Sequence, residues 1–228
     1  MLKWFEGKDV ALVGGAGAIF EQEYGDQIDK HEVVVRMNRG VIIKNAKSQG
    51  SKTDYWAIGK PTTVSDIIGK YKFKGNFHLS EAQRDPKHPN IDYYMPMEIL
   101  NKLKSPSEYD YKKPSSGLVC LYYLYFHCKP KSLSLYGFDW NKSGTWYYIP
   151  WAFGRGHDWG LEERYIKRKI LSQTNVTYYK PKETNKIIKF KDAMIEDEYW
   201  LPPKLKNLSK INRIKYLKDN SENITYGD

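Results

Sequence analysis

Short apolar, β-branched segments alternate along this chain with longer segments of mixed polarity. The short segments are candidate strands: Val10–Val13, Glu32–Arg36, Asp54–Ile58, Asn76–Leu79, Ile91–Tyr94, Leu133–Tyr136 and Val176–Tyr179. Candidate helices lie between them, at Thr63–Lys70, Pro96–Lys104, Ser116–Phe126 and Gly160–Leu171. Because short apolar strands are typical of a sheet covered on both faces, the alternation predicts an α/β sandwich with a mostly parallel central sheet.

The pattern changes after Pro181, where the chain becomes rich in Lys, Asn and Glu. A chain of 228 residues is long enough for one sizeable core or at most two small ones. We therefore predict one domain over residues 1–182. A basic C-terminal extension over residues 183–228, part helix and part tail, would pack on this domain or trail from it.

The formal net charge of the chain is +10, and its basic residues are densest in the C-terminal extension. Such a balance favours anionic partners: nucleotide phosphates, acidic sugars, nucleic acid or anionic lipid. A solvated basic surface would carry the same charge, so the charge alone does not choose among these partners.

The two cysteines, Cys120 and Cys128, lie in one candidate helix, roughly 12 Å apart along its axis. A disulfide needs Cα atoms within about 7 Å, so we expect free thiols and a reducing compartment. The first residues do not match a signal peptide, and no apolar run reaches the ~20 residues of a membrane span. Together these observations predict a cytoplasmic protein.

A loop of small residues, Gly14-Gly15-Ala16-Gly17, follows directly after the first candidate strand. Small residues let the backbone approach a ligand, and their amides can face a phosphate. A dinucleotide site would need a third glycine where Phe20 stands and an acidic residue near Arg36 and Asn38, and no P-loop motif is present. The pattern disfavours NAD and leaves two interpretations open, a nucleotide-binding loop or a tight turn without a ligand.

Two further loops precede candidate helices: Pro114-Ser115-Ser116-Gly117, and the glycine-flanked turn Gly156-His157-Asp158. Histidine side chains generally titrate near pH ~6.5, so a neutral imidazole is available at pH 7 to take a proton from a hydroxyl. His157 is therefore a candidate general base, against the alternative of a structural histidine. Glu162 is a candidate orienting residue, and the lack of an Asp-x-Asp motif predicts chemistry without a metal.

The stretch from Val10 to Ile58 also contains Gly25-Asp26-Gln27-Ile28-Asp29, Val34-Val35-Arg36-Met37-Asn38 and Gly50-Ser51-Lys52-Thr53. The stretch from Pro114 to Phe138 and the pair His157 and Glu162 follow later in the chain. In order and spacing, the three parts resemble the large, small and very small sialyl motifs of the eukaryotic-type sialyltransferases, glycosyltransferase family 29.

This resemblance implies a Rossmann-like, GT-A-type sandwich and an inverting, metal-independent glycosyltransferase without a cofactor. The enzyme would move sialic acid, or a related acidic sugar, from a CMP-sugar donor to a glycan, glycolipid or other hydroxyl acceptor. Asn38 would contact the nucleotide, and His157 would deprotonate the acceptor. The other donor-binding residues that it implies are Ser115, Ser116 and Gly117 at the ribose or carboxylate region and Gly14, Gly15 and Gly17 beneath the phosphate.

The chain departs from this family in three places. In the glycine loop, Gly15 and Ala18 stand where the family often has Asn or Ser. The family's disulfide joins the start of the large motif to the small motif, but here Val10 stands at the first position and Cys128 near the second, so the bridge is absent. The family's His-Tyr-Tyr-type motif is also altered, so Tyr147 or Tyr148 would replace a phosphate-stabilising histidine.

Other interpretations stay open. The same fold could use Kdo or another nucleotide sugar, or the chain could be a relative without catalysis. A nucleic-acid-binding protein would combine the basic charge with aromatic residues such as Tyr178-Tyr179-Lys180, but no binding motif is present and we expect no nucleic acid partner. The basic extension could contact an anionic membrane. Arg36 and Arg155 are candidates for balancing the phosphate charge, or surface residues.

Overall fold

A computed structural model of the chain describes residues 3–59, 64, 67–80, 91–104, 114–147 and 157–182, together with strands at 187–190 and 224–227. Its strands are β1 (Asp9–Val13), β2 (Val33–Met37), β3 (Tyr55–Ile58), β4 (Gly75–His78), β5 (Tyr93–Tyr94), β6 (Ser132–Tyr136), β7 (Val176–Tyr178), β8 (Ile187–Phe190) and β9 (Ile224–Gly227). Its α-helices are α1 (Gly25–Asp29), α2 (Ala46–Gln49), α3 (Met97–Leu103), α4 (Ser116–Tyr122) and α5 (Trp159–Lys169). A π-helix at Tyr123–Cys128 continues α4, and short 3-10 helices lie at Gly17–Glu21 and Asn38–Val41.

A parallel sheet of seven strands, in the order β5-β4-β3-β2-β1-β6-β7, forms the centre of the fold. Leu12 of β1 pairs with Val35 of β2 on one side and with Leu135 of β6 on the other. The chain first winds outward from β1 to β5 and then returns to place β6 on the free side of β1. The direction of winding therefore reverses between β1 and β6.

Apolar layers cover both faces of this sheet. On β1, Val10 and Leu12 face the layer that contains α3, α4 and α5. Ala11 and Val13 face the opposite layer, which contains apolar residues of the first 3-10 helix and of α1. Because neighbouring residues of a strand point to opposite faces, both sets must be apolar, and the strands are the continuous apolar runs seen in the sequence.

The predicted α/β sandwich with a parallel sheet is confirmed, and each predicted strand is present with bounds that shift by a residue or two. Three predicted helices correspond to α3, to α4 with its π-helical continuation, and to α5. The helix predicted at Thr63–Lys70 lies partly outside the described residues, and residues 67–70 form a turn. Helices α1 and α2 were not predicted, because helices of about one turn are too short to show an apolar period.

After residue 182 the structure describes only β8 and β9, which pair in parallel. The division into a domain over residues 1–182 and an extension over residues 183–228 therefore stays a prediction. Among the described residues, no helix has both the length and the apolar character needed to cross a membrane.

Candidate active site

A cavity of about 210 Å³ lies outside the carboxyl ends of β1, β2 and β6. In parallel α/β sheets, ligands bind in this crevice, next to the strands at which the winding reverses. The cavity is lined by segments that are distant in the chain. The predicted site residues among them are Gly14, Gly15, Asn38, Ser115, Ser116, Gly117, Tyr147 and His157.

Gly14 and Gly15 bring the loop after β1 against the loop after β6. A Cβ atom on Gly14 would overlap the carbonyl oxygen of Gly137 and lie 3.0 Å from a ring carbon of Phe138. A Cβ atom on Gly15 would lie 2.8 Å from a ring carbon of Tyr147. Because contacts this short push atoms apart, both positions require glycine for the two loops to meet in the cavity wall.

The rest of the small-residue loop is bonded within the protein. The N–H of Ala16 donates to the Gly137 carbonyl at 3.0 Å, and the N–H of Gly17 donates to the Gly144 carbonyl at 2.8 Å. Gly17 is buried and does not line the cavity. The structure therefore brings the first two glycines of the loop to the cavity, but it does not place Gly17 where a phosphate could lie.

Asn38 follows β2 with a left-handed backbone, at a φ of 48°. Asparagine adopts this conformation more readily than most residues other than glycine. The Asn38 carbonyl accepts a hydrogen bond from Trp56 Nε1 at 2.7 Å, and its Oδ1 accepts one from the Gly59 N–H at 2.8 Å. These two bonds hold Asn38 in the cavity wall, where the sequence analysis expects a nucleotide contact.

Ser115, which precedes α4, is held by Glu162 of α5. The Ser115 N–H donates to Glu162 Oε1 at 2.7 Å, and the Ser115 hydroxyl donates to Oε2 at 2.6 Å. The same hydroxyl accepts a hydrogen bond from the Leu118 N–H at 3.1 Å and so caps α4. Burial raises the pKa of Glu162 to about 7, and the two bonds from Ser115 oppose that rise. Glu162 therefore positions the start of α4 in the cavity wall.

His157 lies in the cavity wall directly before α5. Its ring is half-buried and packs edge-on against the Trp159 ring, with the ring centres 5.1 Å apart. Asp158 caps α5 by accepting a hydrogen bond from the Leu161 N–H at 2.9 Å, which fixes the start of the helix next to His157. The candidate base thus shares one cavity with the candidate nucleotide-binding residues.

Tyr147 is buried, lines the cavity and packs edge-on against Trp146, with the ring centres 5.0 Å apart. It therefore shares the cavity with Asn38 and His157, and its role at the phosphate stays a prediction. Tyr148, the other candidate for that role, and Arg155 lie outside the described residues.

Arg36 was a candidate for balancing phosphate charge, and the structure shows that this prediction is wrong. The side chain is fully buried, and its guanidinium donates to the Gln49 carbonyl at 2.6 Å and to Thr53 Oγ1 at 2.9 Å. Burial lowers the pKa of Arg36 to about 10. Arg36 joins β2 to the segment before β3 and does not line the cavity.

The loop after β6 was missed by the sequence analysis. Trp140 and Asn141 have left-handed φ angles of 57° and 64°, and both line the cavity with Asp139. Such conformations are costly and cluster at functional sites. Burial raises the pKa of Asp139, while hydrogen bonds from Ser143 oppose that rise. The available signal in the sequence was an acidic residue close after the carboxyl end of a predicted strand.

Comparison with known proteins finds a family match in the first part of the chain. The model described as glycosyltransferase family 29 (sialyltransferase) matches residues 6–83, which is less than half of the chain. This segment contains β1 to β4 and the first of the three motifs, so the resemblance noted in the sequence is confirmed there.

The curated relatives that the chain matches are longer than the chain itself. It is 46% identical over 44 residues to the Arabidopsis thaliana protein Beta-1,6-galactosyltransferase GALT29A, covering 19% of this chain and 11% of that protein. It is 25% identical over 165 residues to CMP-N-acetylneuraminate-beta-galactosamide-alpha-2,3-sialyltransferase 1 of Gallus gallus, covering 63% of this chain and 48% of that protein. The chain thus spans less than half the length of either relative.

A solved mammalian sialyltransferase structure shares the fold of this chain. The two structures have a TM-score of 0.56 at 19% sequence identity, and the match covers 77% of this chain and 70% of the other. At this identity the match supports the fold alone.

The two cysteines of the chain are both free and buried, so the predicted absence of a bridge between Cys120 and Cys128 is confirmed. Burial raises the pKa of both thiols, that of Cys128 to about 12. Apolar packing around the two thiols holds this part of the core together without a disulfide.

Proposed function

We propose that this chain is a glycosyltransferase of family 29 that moves sialic acid, or a related acidic sugar, from a CMP-sugar donor to a hydroxyl acceptor on a glycan or glycolipid. The observation that carries the proposal is one cavity that joins His157, Asn38 and the start of α4. A base for the acceptor and a wall for the nucleotide thus share one space. The Gallus gallus relative is named for CMP-N-acetylneuraminate and a β-galactosamide, which supports this donor and acceptor.

The proposed step is a single displacement at the anomeric carbon of the donor sugar. His157 takes the proton of the acceptor hydroxyl while the acceptor oxygen bonds to that carbon. The bond between the carbon and the phosphate oxygen breaks on the opposite side, and CMP leaves with the electron pair. The configuration at the anomeric carbon is therefore inverted.

The leaving phosphate needs hydrogen-bond donors that are already in place. We propose that Gly15 and Tyr147 supply them from the cavity wall and that no metal takes part. Ser116 and Gly117 would contact the ribose or carboxylate region of the donor. The lack of an Asp-x-Asp motif supports this proposal. Transfer is expected to persist in excess EDTA, and transfer that stops in EDTA and returns with Mg²⁺ or Mn²⁺ would contradict it.

The sheet and its cavity support a Rossmann-like, GT-A-type arrangement. All the strands of the seven-stranded sheet run parallel, and the cavity lies where their winding reverses. Nucleotides bind at this place in doubly wound sheets. A structure with bound CMP would test the arrangement by showing the nucleotide outside the ends of β1 and β6 or elsewhere.

A second candidate function is transfer of a different sugar by the same cavity. The stretch of 46% identity belongs to a protein named as a galactosyltransferase, which favours a neutral sugar on another nucleotide. Kdo carried by CMP is a closer variant of the first proposal. The first candidate, with sialic acid or Kdo, requires the cavity to hold CMP, whereas the second requires another nucleotide.

Thermal unfolding with a nucleotide panel separates these candidates. A ligand at 100 times its Kd stabilises the folded protein by about 2.7 kcal/mol, a readily measured rise in melting temperature. We expect the rise with CMP and not with UDP, GDP or NAD. A rise with UDP alone would favour the second candidate. No rise with any of these nucleotides, together with one for a short oligonucleotide, would contradict both and favour nucleic acid binding.

The catalytic role of His157 is tested by His157→Ala. We expect this variant to lose transfer while it keeps the affinity of the wild type for CMP, because the imidazole acts on the acceptor. The matched control is His31→Gln, since His31 lies outside the cavity and bonds to Asp9 at 2.7 Å and Tyr136 at 2.9 Å. Wild-type turnover by His157→Ala would remove His157 from the mechanism.

We also propose a cytoplasmic location and a peripheral contact between the basic extension and an anionic membrane. The buried free thiols of Cys120 and Cys128 support a reducing compartment. Fractionation of cells that make the protein tests the location, and recovery in a secretory compartment would contradict it. Binding to anionic but not neutral vesicles, weakened by salt, tests the membrane contact.

A further inference from the structure

Two large apolar side chains, Tyr71 and Phe126, stand exposed in the part of the chain that the structure describes. Tyr71 is 46% exposed and Phe126 is 37% exposed, and neither lines the cavity. The hydrogen bonds around them place both at the amino edge of the sheet, where the parallel strands begin. This edge is opposite the cavity, which lies outside the carboxyl ends of the strands.

Tyr71 lies in the turn before β4, within the segment Lys70-Tyr71-Lys72-Phe73-Lys74. The Lys74 N–H donates to the carbonyl of Asp54, the residue before β3, at 2.8 Å. Because residues that directly precede parallel strands lie at one edge of a sheet, this segment lies at the amino edge. Phe73 turns inward and packs against Trp56, with the ring centres 5.4 Å apart, whereas Tyr71 points outward.

Phe126 reaches the same edge through the π-helix that continues α4. The carbonyl of Lys129, directly after this helix, accepts a hydrogen bond from the Gly7 N–H at 3.2 Å. The Lys131 N–H donates to the carbonyl of Lys8, the residue before β1, at 2.8 Å. Phe126 therefore lies at the amino edge, on the side of the layer that contains α3 and α4.

Lysines surround these two aromatic side chains. Glu32 at this edge already pairs with Lys8 at 3.6 Å. Asp54 pairs with Lys74 at 2.7 Å. Glu6 is exposed and subtracts one charge. Five further lysines of this edge are exposed: Lys3, Lys70, Lys72, Lys129 and Lys131. The amino edge therefore combines an excess of positive charge with exposed aromatic rings.

This combination fits an anionic lipid surface better than a nucleic acid. Aromatic side chains settle at the level of lipid head groups, and lysines attract anionic lipids. Single-stranded nucleic acid needs free ring faces on which bases can stack. Here Tyr71 stacks on Phe73, with the ring centres 6.3 Å apart. Phe126 lies 4.9 Å from the ring centres of both Tyr122 and Tyr125. The exposed parts of these rings are suited to apolar contact rather than to stacking of bases.

We propose that the amino edge of the sheet is a docking surface for an anionic lipid membrane. Tyr71 and Phe126 insert among the head groups, and the surrounding lysines contact the lipid phosphates. The cavity lies at the opposite edge, so docking leaves it open. This surface is separate from the basic extension, and its binding requires no donor, so the inference goes beyond the proposed function.

Sedimentation of the full chain with lipid vesicles tests the surface. The vesicles contain phosphatidylcholine with or without phosphatidylglycerol, and we expect binding only to the anionic ones, weakened by salt. Each basic residue near such a surface contributes about fivefold, so Lys70→Ala combined with Lys72→Ala should weaken binding roughly 25-fold. Tyr71→Ser combined with Phe126→Ser should weaken it about fivefold or more, because apolar area is lost.

Two control variants remove the same charge elsewhere. Lys180 and Lys182 are exposed after β7, at the carboxyl edge. Replacing both by alanine should leave binding within about twofold of the wild type. Lys186→Ala combined with Lys191→Ala removes two charges from the basic extension and tests that segment separately. The melting temperature of each variant shows whether it is folded.

Several results would overturn the inference. They are a wild type that binds no vesicles or binds neutral and anionic vesicles equally, and equal losses in the amino-edge and carboxyl-edge lysine variants. Wild-type binding by the variant that lacks both aromatic side chains would also overturn it. A loss confined to the extension variant would leave the extension as the membrane contact. Binding of a single-stranded oligonucleotide instead of vesicles would assign the surface to nucleic acid.

The proposed function fails or succeeds independently of this test. The vesicle experiment contains no nucleotide, and thermal unfolding with CMP contains no lipid. A chain that binds vesicles through its amino edge but is not stabilised by CMP would refute the proposed donor and keep the docking surface.

Discussion

Glu162 and Glu163 are adjacent carboxylates in opposite environments, and replacing each by alanine tests how the cavity wall is held. Glu162 is 2% exposed and accepts two hydrogen bonds from Ser115, at 2.7 and 2.6 Å. Glu163 instead forms ion pairs at the surface with Lys142 at 3.4 Å and Lys167 at 2.8 Å. The two substitutions remove the same chemical group from neighbouring positions of α5.

The expected loss of stability differs between the two variants. Hydrogen bonds to a charged group contribute about 1.5–3 kcal/mol each, and Glu162→Ala also leaves the buried Ser115 N–H without its acceptor. We therefore expect a loss of about 3 kcal/mol or more in the free energy of unfolding. Surface ion pairs contribute about 0–1 kcal/mol, so Glu163→Ala should lose no more than that. Urea unfolding at pH 7 measures both values.

The pH dependence gives a second readout. Burial raises the pKa of folded Glu162 from 4.5 to about 7, so the folded state binds the proton more tightly than the unfolded state. Protonated Glu162 therefore stabilises the folded protein at a pH below the pKa of this group in the unfolded chain. This contribution to the free energy of unfolding, at most about 3 kcal/mol, is lost as the pH rises through the pKa of the group in the folded protein. Glu162→Gln cannot ionise, so the wild type should lose stability relative to this variant between pH 4.5 and 8.

Two results would refute this account of Glu162. The first is equal stability of Glu162→Ala and Glu163→Ala at pH 7, which would mean that the bonds to Ser115 contribute nothing. The second is a difference between wild type and Glu162→Gln that stays constant with pH, or that grows in favour of the wild type as pH rises.

Two further predictions concern packing. Gly14→Ala should lose about 1–3 kcal/mol of stability because its Cβ would overlap the Gly137 backbone. In the control Gly40→Ala the nearest contact of the Cβ would be at 3.8 Å, so stability should change by less than about 0.5 kcal/mol. Chemical unfolding of both variants measures the difference, and equal stability would contradict the close contact at Gly14. The thiols of Cys120 and Cys128 are both buried with raised pKa values. We therefore expect neither to react with a thiol reagent in the folded protein and both to react after unfolding. Fast reaction of either thiol in the folded protein would contradict their burial.

The sequence by itself determined the layers of this protein. The central strands of a sheet covered on both faces are short, mostly apolar runs, so hydrophobicity located them, as Val10–Val13 shows with every residue apolar and buried. The motif residues also placed Asn38, Ser115 and His157 in loops that follow strands or precede helices. In a parallel sheet such loops gather at one edge, which made a shared site predictable.

Only the tertiary structure decided which of these side chains face the cavity and which support it. Ser115 and Glu162 are separated by 47 positions in the chain and bond because the fold brings the start of α4 to the first turn of α5. Arg36 belongs to a motif next to the cavity, yet its side chain points into the protein. Asp139 came to the cavity through a loop with left-handed residues. Hydrophobic patterning reports burial along the chain, whereas these contacts depend on distances between segments that meet only after folding.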